Sequence, residues 1–338
     1  MALLNGDILV VNAGSTSLKL SVVGADDVPR PVASLADAPH VAAVGHRVVH
    51  GGAHFSAPTL IDDAVLAELT ALIELAPLHN APAVDAINAA RKALPDAAHI
   101  AVFDTAFHTT LPEVASTYLL PRRFREQGIR RYGFHGLSVQ WVSERVAVPR
   151  LVVCHLGGGS SVTAVRDGRS VDTTMGFTPL EGVPMATRAG SIDPGALLYL
   201  LRHGVSLDEL DQALERESGL TALAGTGDVA VLEGDTSPDA ELALGVYCYR
   251  VAQAVSAMTV ALGGLDALAF TAGVGEHSAA VRASVCRQLA FLGVSLDDGA
   301  NEHADGDAEI GASSSSVQVH VVTAREDLIV ARAVRSVA

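Results

Sequence analysis

Lysine is almost absent from this chain: among 338 residues only Lys19 and Lys92 are lysines, and lysine plus arginine number 23 against 38 aspartates and glutamates. The net charge of −15 repels phosphate backbones and anionic lipid at long range, so neither nucleic acid nor a membrane is an expected partner. Cysteine is scarce too. Cys154, Cys248 and Cys286 are odd in number and far apart, which suits neither a disulfide framework nor a zinc site and leaves a reducing compartment, the cytoplasm, as the expectation. No long hydrophobic run exists. The most apolar stretch, residues 251–265, is interrupted by Gln253, Ser256 and Thr259 and falls short of the roughly 20 residues a spanning helix needs, so it reads as a buried helix. The opening MALLNGDILV has no basic region before its short apolar run, and no signal peptide is expected. G-x-x-x-x-G-K-[ST], a complete G-x-G-x-x-G and G-x-S-x-G are all missing, which removes the fingerprints of P-loop, Rossmann and serine-hydrolase sites.

What is present is the material of a globular protein. With 49% apolar and 18% charged residues, disorder and fibrous repeats are excluded, and the length suggests two domains of about 150 residues each. Residues 8–11 form a β-branched run that breaks into the polar tip Asn12-Ala13-Gly14-Ser15-Thr16-Ser17, after which alternation resumes. The same hairpin pattern returns at 151–165 around the tip HLGGGSS, and Asp167-Gly168 supplies a tight turn. Two such hairpins suggest an internal duplication with a cleft between the halves. Strands at 43–49 and 100–103 alternate with helices at 62–75, 81–93 and 137–146, which argues for α/β layers. A long helix is expected over 240–262, a strand over 267–270, and a surface loop over the acidic, Ser-rich 300–316.

Three loops rich in small residues follow strands, at 12–17, 157–161 and 273–276. Small residues let backbone N–H groups converge on an anion, and each loop alone could equally be a plain turn. Lys19 stands just past the first tip, as a phosphate ligand or a solvated strand residue. Arg47, inside the apolar VGHRVV, and Arg188, inside GVPMATRAG, each require an anionic partner, which could be a structural carboxylate or a substrate. Asp104 ends the strand IAVF, where α/β proteins present carboxylates to ligands, although a helix cap is the simple alternative. His46, His50 and His54 recur at helical spacing, but Gly51-Gly52 breaks any helix there and no metal motif accompanies them.

Ordered motifs along nearly the whole chain resemble those of the acetate kinases, within the acetate and sugar kinase, Hsp70 and actin superfamily: VVNAGSTSLKL from Val10, VGHRVVHGG from Val44, APLHN from Ala76, VFDTAFH from Val102, RRYGFHGLS from Arg130, HLGGGSS from His155, VDTTMGFTPLEGVPMATRAGSIDPG from Val171 and FTAGVGEH from Phe270. The resemblance implies an α/β fold of two duplicated actin-like (ribonuclease H-like) domains around an interdomain cleft. The expected domains are 1–108, completed by a C-terminal helix at 327–338, and a nucleotide-binding domain at 109–326. It implies reversible transfer of a phosphoryl group from ATP to acetate, giving acetyl phosphate and ADP by direct in-line displacement, with Mg²⁺ or alternatively Mn²⁺ as cofactor, in a homodimer. Asn12, Ser15, Ser17 and Lys19 would form the first phosphate loop, with Asn12 near the metal. Arg47 and Arg188 match the two arginines on the phosphoryl group, Asp104 the essential carboxylate beside it, and His135 a histidine donor. Val49, Leu78, Phe134 and Pro179 match a small apolar pocket for the acyl methyl, with His79 beside them. Glu326, followed by Asp327, matches a carboxylate that binds the metal with Asn12 and Asp104. On the nucleotide side lie His155, Gly157, Gly158, Gly159, Asp228, Gly273, Val274, Gly275, Glu276 and His277.

The chain departs from the family pattern at Gly158, usually Asn, at Ala230, usually Arg, and at His277, commonly Asn, and the segment between Lys19 and Arg47 is short. Two other readings stand beside acetate kinase: the same chemistry on propionate or butyrate, and a nucleotide-binding member impaired in catalysis.

Overall fold

The computed structural model describes residues 6–13, 18–38 and 41–337, with every side chain among them except those of 77 and 78. Ser15, Ser17 and the Leu78 side chain therefore lie outside the described residues. The chain divides into two compact units: Met1–Thr109 with Leu119–Trp141 and Arg325–Ala338, and Thr110–Tyr118 with Val142–Ala324. In this division Leu119–Trp141, placed by the motif reading in the second domain, belongs with the first unit.

In the first unit β1 (Ile8–Ala13) and β2 (Leu18–Val23) form the expected antiparallel hairpin, extended by the edge strand β3 (Pro29–Pro31). β4 (Ala43–Val48) runs parallel to β1, β5 (Thr59–Leu60) is an antiparallel edge, and β6 (Ala98–Phe103) runs parallel to β4, giving the order β3-β2-β1-β4-β6-β5. In the second unit β7 (Arg150–Leu156), β8 (Ser160–Arg166) and β9 (Arg169–Thr173) form the meander. β10 (Ala267–Thr271) runs parallel to β7, and β12 (Gln318–Val321) parallel to β10. With β11 (Ala308–Glu309) as the antiparallel edge, the order read from its other side is β9-β8-β7-β10-β12-β11, the topology of the first sheet. Asp167 and Gly168, at φ +49 and +75, make the tight turn after the second hairpin as expected.

Both faces of the first sheet are buried, which is why β1 reads as unbroken ILVV rather than as an alternation. Ile8 and Val10 face one core together with Leu328, Ile329, Val330 and Val334 of the C-terminal helix Glu326–Val337, while Leu9 and Val11 face another with Ala90 of the helix Pro77–Ala93. The C-terminal helix is fixed at its far end by Asp27, which accepts from Arg332 Nε at 3.0 Å and Arg335 Nη1 at 2.7 Å. It lies so close to β4 that a Cβ on Gly45 would stand 2.6 Å from Val330 Cγ1. The second core is built around the helix Pro238–Leu262, which ends on left-handed Gly263 and buries Cys248 beside Cys154 and Cys286 as small apolar side chains.

The expected helices form with shifted ends: 62–75 becomes Asp63–Ala71 and a 3₁₀ turn, with Asp62 as the N-cap, and 81–93 starts at Pro77, where proline suits the first turn. The expected loop at 300–316 differs more. Asp297 caps a short helix, Asp298–Glu302, and β11 pairs with β12 because buried Ile310 anchors that segment to Val319. Among the described residues no helix is long and apolar enough to cross a membrane.

His46 and His99 form a buried pair whose tautomers are fixed by their bonds. His99 Nε2 donates to the Leu94 carbonyl at 3.0 Å, so His99 Nδ1 accepts from His46 Nε2 at 3.0 Å, and His46 Nδ1 is left as a buried acceptor without a partner. Burial, then the neighbouring His99, push His46 down to about 3, and burial pushes His108 down to about 4. Both folded values lie below the ordinary histidine value of about 6.5, so below that pH the unfolded chain binds protons that the folded chain refuses. Stability is therefore expected to fall as pH drops from about 7 to about 5.5, by about 1 kcal/mol for each of these histidines, with proton uptake on unfolding. Urea unfolding at the two pH values measures it; a stability that is flat or rises on acidification contradicts the assignment.

Candidate active site

Strand phase brings the charged residues together. Residues 8 and 10 of β1, 43 of β4 and 100 and 102 of β6 all face the C-terminal helix. Continuing each strand at its period of two places Asn12, Arg47 and Asp104 on that same face, at the carboxyl ends of three adjacent parallel strands. The register agrees, with Asn12 opposite Arg47 and Arg47 opposite Val102. Glu326 is the first residue of the helix covering the face, so it enters from the other end of the chain.

Arg47 is the hub. Its Nε and Nη2 donate to Asp104 Oδ1 and Oδ2 at 3.0 and 2.5 Å, and Nη1 donates to Asn12 Oδ1 at 3.0 Å. Glu326 Oε2 lies 3.5 Å from Nε and accepts from Asn12 Nδ2 at 3.3 Å. Burial alone would lower the Arg47 pKa, but Asp104 and then Glu326 outweigh it and hold the guanidinium more firmly charged than usual. Burial pushes Asp104 up to about 6 against the pull of Arg47, with Glu326 adding to the rise, and the bidentate pair remains ionised at neutral pH. Asp104 is therefore no helix cap. Two carboxylates and an amide oxygen around one arginine form a hard-oxygen donor set of the kind that suits Mg²⁺, which takes one or two carboxylates and completes its shell with water and phosphate. Among the described residues no group of three or more His, Cys, Asp or Glu side chains could hold a metal by itself.

His135 is anchored to the same place through backbone. Gly136 N–H donates to the Asp104 carbonyl at 2.9 Å, and a Cβ on Gly136 would collide with that oxygen, so only glycine fits. His135 itself has φ +58, a left-handed conformation that costs a side-chain-bearing residue energy and concentrates at functional positions. Phe134 is buried, its carbonyl accepting from His108 Nε2 at 2.9 Å and its ring edge-on to His50. Val49 is buried and His79 half-buried in this unit; Pro179 is buried in the second. Lys19 is exposed on β2 opposite Asn12.

In the second unit a pocket of about 370 Å³ brings together Gly157 and Gly158 of the hairpin tip, Asp228, and Gly273, Val274 and His277 of the third loop. His155, Gly159, Gly275 and Glu276 stand outside its lining. Asp228 also caps the helix Val229–Glu233 through Ala230 N–H at 3.0 Å. Glu233 and Ser278, hydrogen-bonded to each other, and Gly227 line the pocket too and carried no sequence signal beyond an ordinary helix cap at Ser278. Beneath the third loop lies Arg282, 1% exposed, whose guanidinium donates to the carbonyls of Gly275, Glu276 and Asn301 and to Asn301 Oδ1. Arg188 is buried in the same unit, 3.3 Å from Glu215.

A profile of the acetokinase family matches residues 30–332. The chain belongs to the acetokinase family. An acetate kinase of Protochlamydia amoebophila is 45% identical over 86% of this chain and 75% of its own length, and one of Clavibacter sepedonicus 47% identical over 88% and 79%. A crystal structure of a propionate kinase from Francisella tularensis superposes with a TM-score of 0.90 at 33% identity, covering 97% of this chain and 98% of that one. With the family comes the duplicated actin-like fold, which the repeated strand order of the two sheets displays.

Gly158 departs from the family pattern at a position where the structure leaves room: a Cβ there meets no atom within 4 Å, and its φ is not left-handed. Gly158→Asn is expected to fold and to tighten the binding of ADP several-fold, the effect of one added hydrogen bond of about 0.5–1.5 kcal/mol. Titration calorimetry measures this, and unchanged or weaker binding contradicts it.

Proposed function

We propose that this acetokinase-family chain is an ATP:acetate phosphotransferase, reversibly forming acetyl phosphate and ADP. The observation that carries the reading is the Arg47 fork, clamped by Asp104, Asn12 and Glu326 at the ends of three parallel strands. Phosphoryl transfer demands positioning and charge neutralisation more than covalent help from the protein, and a fixed, fully charged guanidinium supplies both. An acetate oxygen attacks the γ-phosphorus in line, the bond from that phosphorus to the β-phosphate oxygen breaks, and ADP leaves with the electron pair. Arg47 and Arg188 neutralise the equatorial oxygens and His135 donates to one of them. Because the transfer is direct, Asp104 orients the site without being phosphorylated, its carboxylate held by Arg47. Asp104, Asn12 and Glu326 would hold Mg²⁺, or alternatively Mn²⁺, which would neutralise charge on the transferring phosphates.

Val49, Leu78, Phe134 and Pro179, with His79, are assigned to the acyl group, and the second unit's pocket, with the backbone around His155, Gly159, Gly275 and Glu276, to the nucleotide; Ser15, Ser17 and Lys19 are assigned to phosphate. We further propose a cytoplasmic homodimer. The three buried free cysteines suit a reducing compartment. The helix Pro194–Arg202 exposes Leu198, Tyr199, Leu200 and Leu201, with Leu207 nearby in sequence, an apolar concentration that a second copy would cover.

The likeness to a propionate kinase favours a second reading, the same chemistry on a three-carbon acid. An ATP-dependent hydroxamate assay with acetate, propionate and butyrate decides among all three readings, since an impaired nucleotide-binding member makes no product. Acetate is expected to lead propionate by roughly tenfold or more in kcat/KM, because one methylene in an apolar pocket is worth about 1–3 kcal/mol. Val49→Ala should narrow that gap, mainly by improving propionate. A wild-type kcat/KM for propionate or butyrate at or above that for acetate makes the chain a longer-chain acyl kinase.

A further inference from the structure

Arg188 is wrapped by one short stretch of its own unit, residues 213–220. The segment begins with Ala213–Glu217, a π-helical turn, a rare form that recurs at functional sites. It carries Glu215, whose Oε2 lies 3.3 Å from Arg188 Nε with both side chains largely buried, 16% and 10% exposed. The backbone is held as closely as the guanidinium. The Glu215 carbonyl accepts from Thr187 Oγ1 at 2.9 Å, Ser218 N–H donates to the Thr187 carbonyl at 3.0 Å, and Leu220 N–H donates to the Met185 carbonyl at 3.0 Å. Gly219, at φ +66, sits so near that a Cβ on it would stand 2.7 Å from the Arg188 carbonyl oxygen and 2.8 Å from its nitrogen. The turn carrying Met185 and Arg188 is closed by Met185 N–H on the Arg188 carbonyl at 2.9 Å.

This geometry has a definite chemistry. A buried guanidinium without a counter-charge is costly, and a flexible arginine stem loses much rotamer freedom when it must meet a ligand in one pose. A carboxylate 3.3 Å from Nε meets both demands by ion pairing, since it compensates the charge and favours one placement of the stem at the inner edge of the planar fork. Burial disfavours the charge on each partner and prevails, lowering the Arg188 pKa and raising that of Glu215, while their mutual attraction opposes both shifts.

We propose that Glu215 is a positioning residue that holds the Arg188 guanidinium ready for the transferring phosphoryl group. The inference rests on the assignment of Arg188 to that group. Glu215→Gln tests it with little disturbance, because the contacts to Thr187 run through backbone and survive the change. In the full-length protein E215Q is expected to lower kcat roughly tenfold while the KM values for ATP and acetate stay within about threefold. The double variant R188A/E215Q is expected to be no slower than R188A alone, since a positioning residue has nothing left to position. E215D, which keeps the charge on a shorter stem, is expected to retain more kcat than E215Q, and this order serves as the test if E215Q proves too unstable to assay. A wild-type kcat in folded E215Q beside a crippled R188A overturns the inference and leaves the Arg188 assignment standing, as does an additive loss in the double variant. A near-wild-type kcat in R188A overturns the assignment and the inference together.

Discussion

The first unit depends on the bidentate pair between Arg47 and Asp104. Burying two charges is expensive, and breaking such a pair by removing one partner strands the other, so the surroundings must hold both in place. They do so through elements far apart in the chain: β4 supplies Arg47, the end of β6 supplies Asp104, β1 brings Asn12 to the third arm of the fork, and the C-terminal helix brings Glu326. Even the strained His135 is tied to this pair, through the contact of Gly136 with the Asp104 carbonyl. A hydrophobic exchange would satisfy the fold at less electrostatic cost. The retention of so much charge at the strand ends is what a site for an anionic ligand requires.

The two sheets use one topology for different ends. In each, a three-strand meander is followed by two parallel strands and a short antiparallel edge. At the end of the central strand β4 stands an arginine; after the equivalent β10 comes the turn Ala272–His277, whose Gly273 and Val274 line the second unit's pocket with the glycines of the β7–β8 tip. Charged side chains gather at the strand ends of the first unit, and exposed backbone between small residues dominates this pocket, the contrast on which the proposed assignment of phosphoryl group and nucleotide rests.

Much of this was readable along the chain. β-branched runs flanking small-residue tips identified both hairpins, and the isolation of Arg47 in an apolar strand and of Asp104 at a strand end marked them for a charged partner. Which of the open partners each would meet was not readable, because it follows from strand pairings across 35 to 57 residues. Family resemblance, rather than periodicity, pointed to Glu326 and His135. Glu215, Glu233 and Arg282 escaped notice because nothing local separates them from solvated helical residues. Their roles depend on a π turn, on the packing of the Val229–Glu233 helix against Ser278, and on carbonyls that the fold turns inward. The short strand β11 was hidden for a similar reason, as an acidic stretch acquires pairing only from β12.

If the charge clamped at Arg47 acts on the transition state, its removal must lower turnover in the folded protein beyond any loss of stability. The kcat of Arg47→Ala with ATP and acetate, in protein shown by circular dichroism to be folded, tests this most directly. The expected result is a fall in kcat on the order of 10³, as for other arginines in phosphoryl transfer. A kcat within about tenfold of the wild type would contradict it.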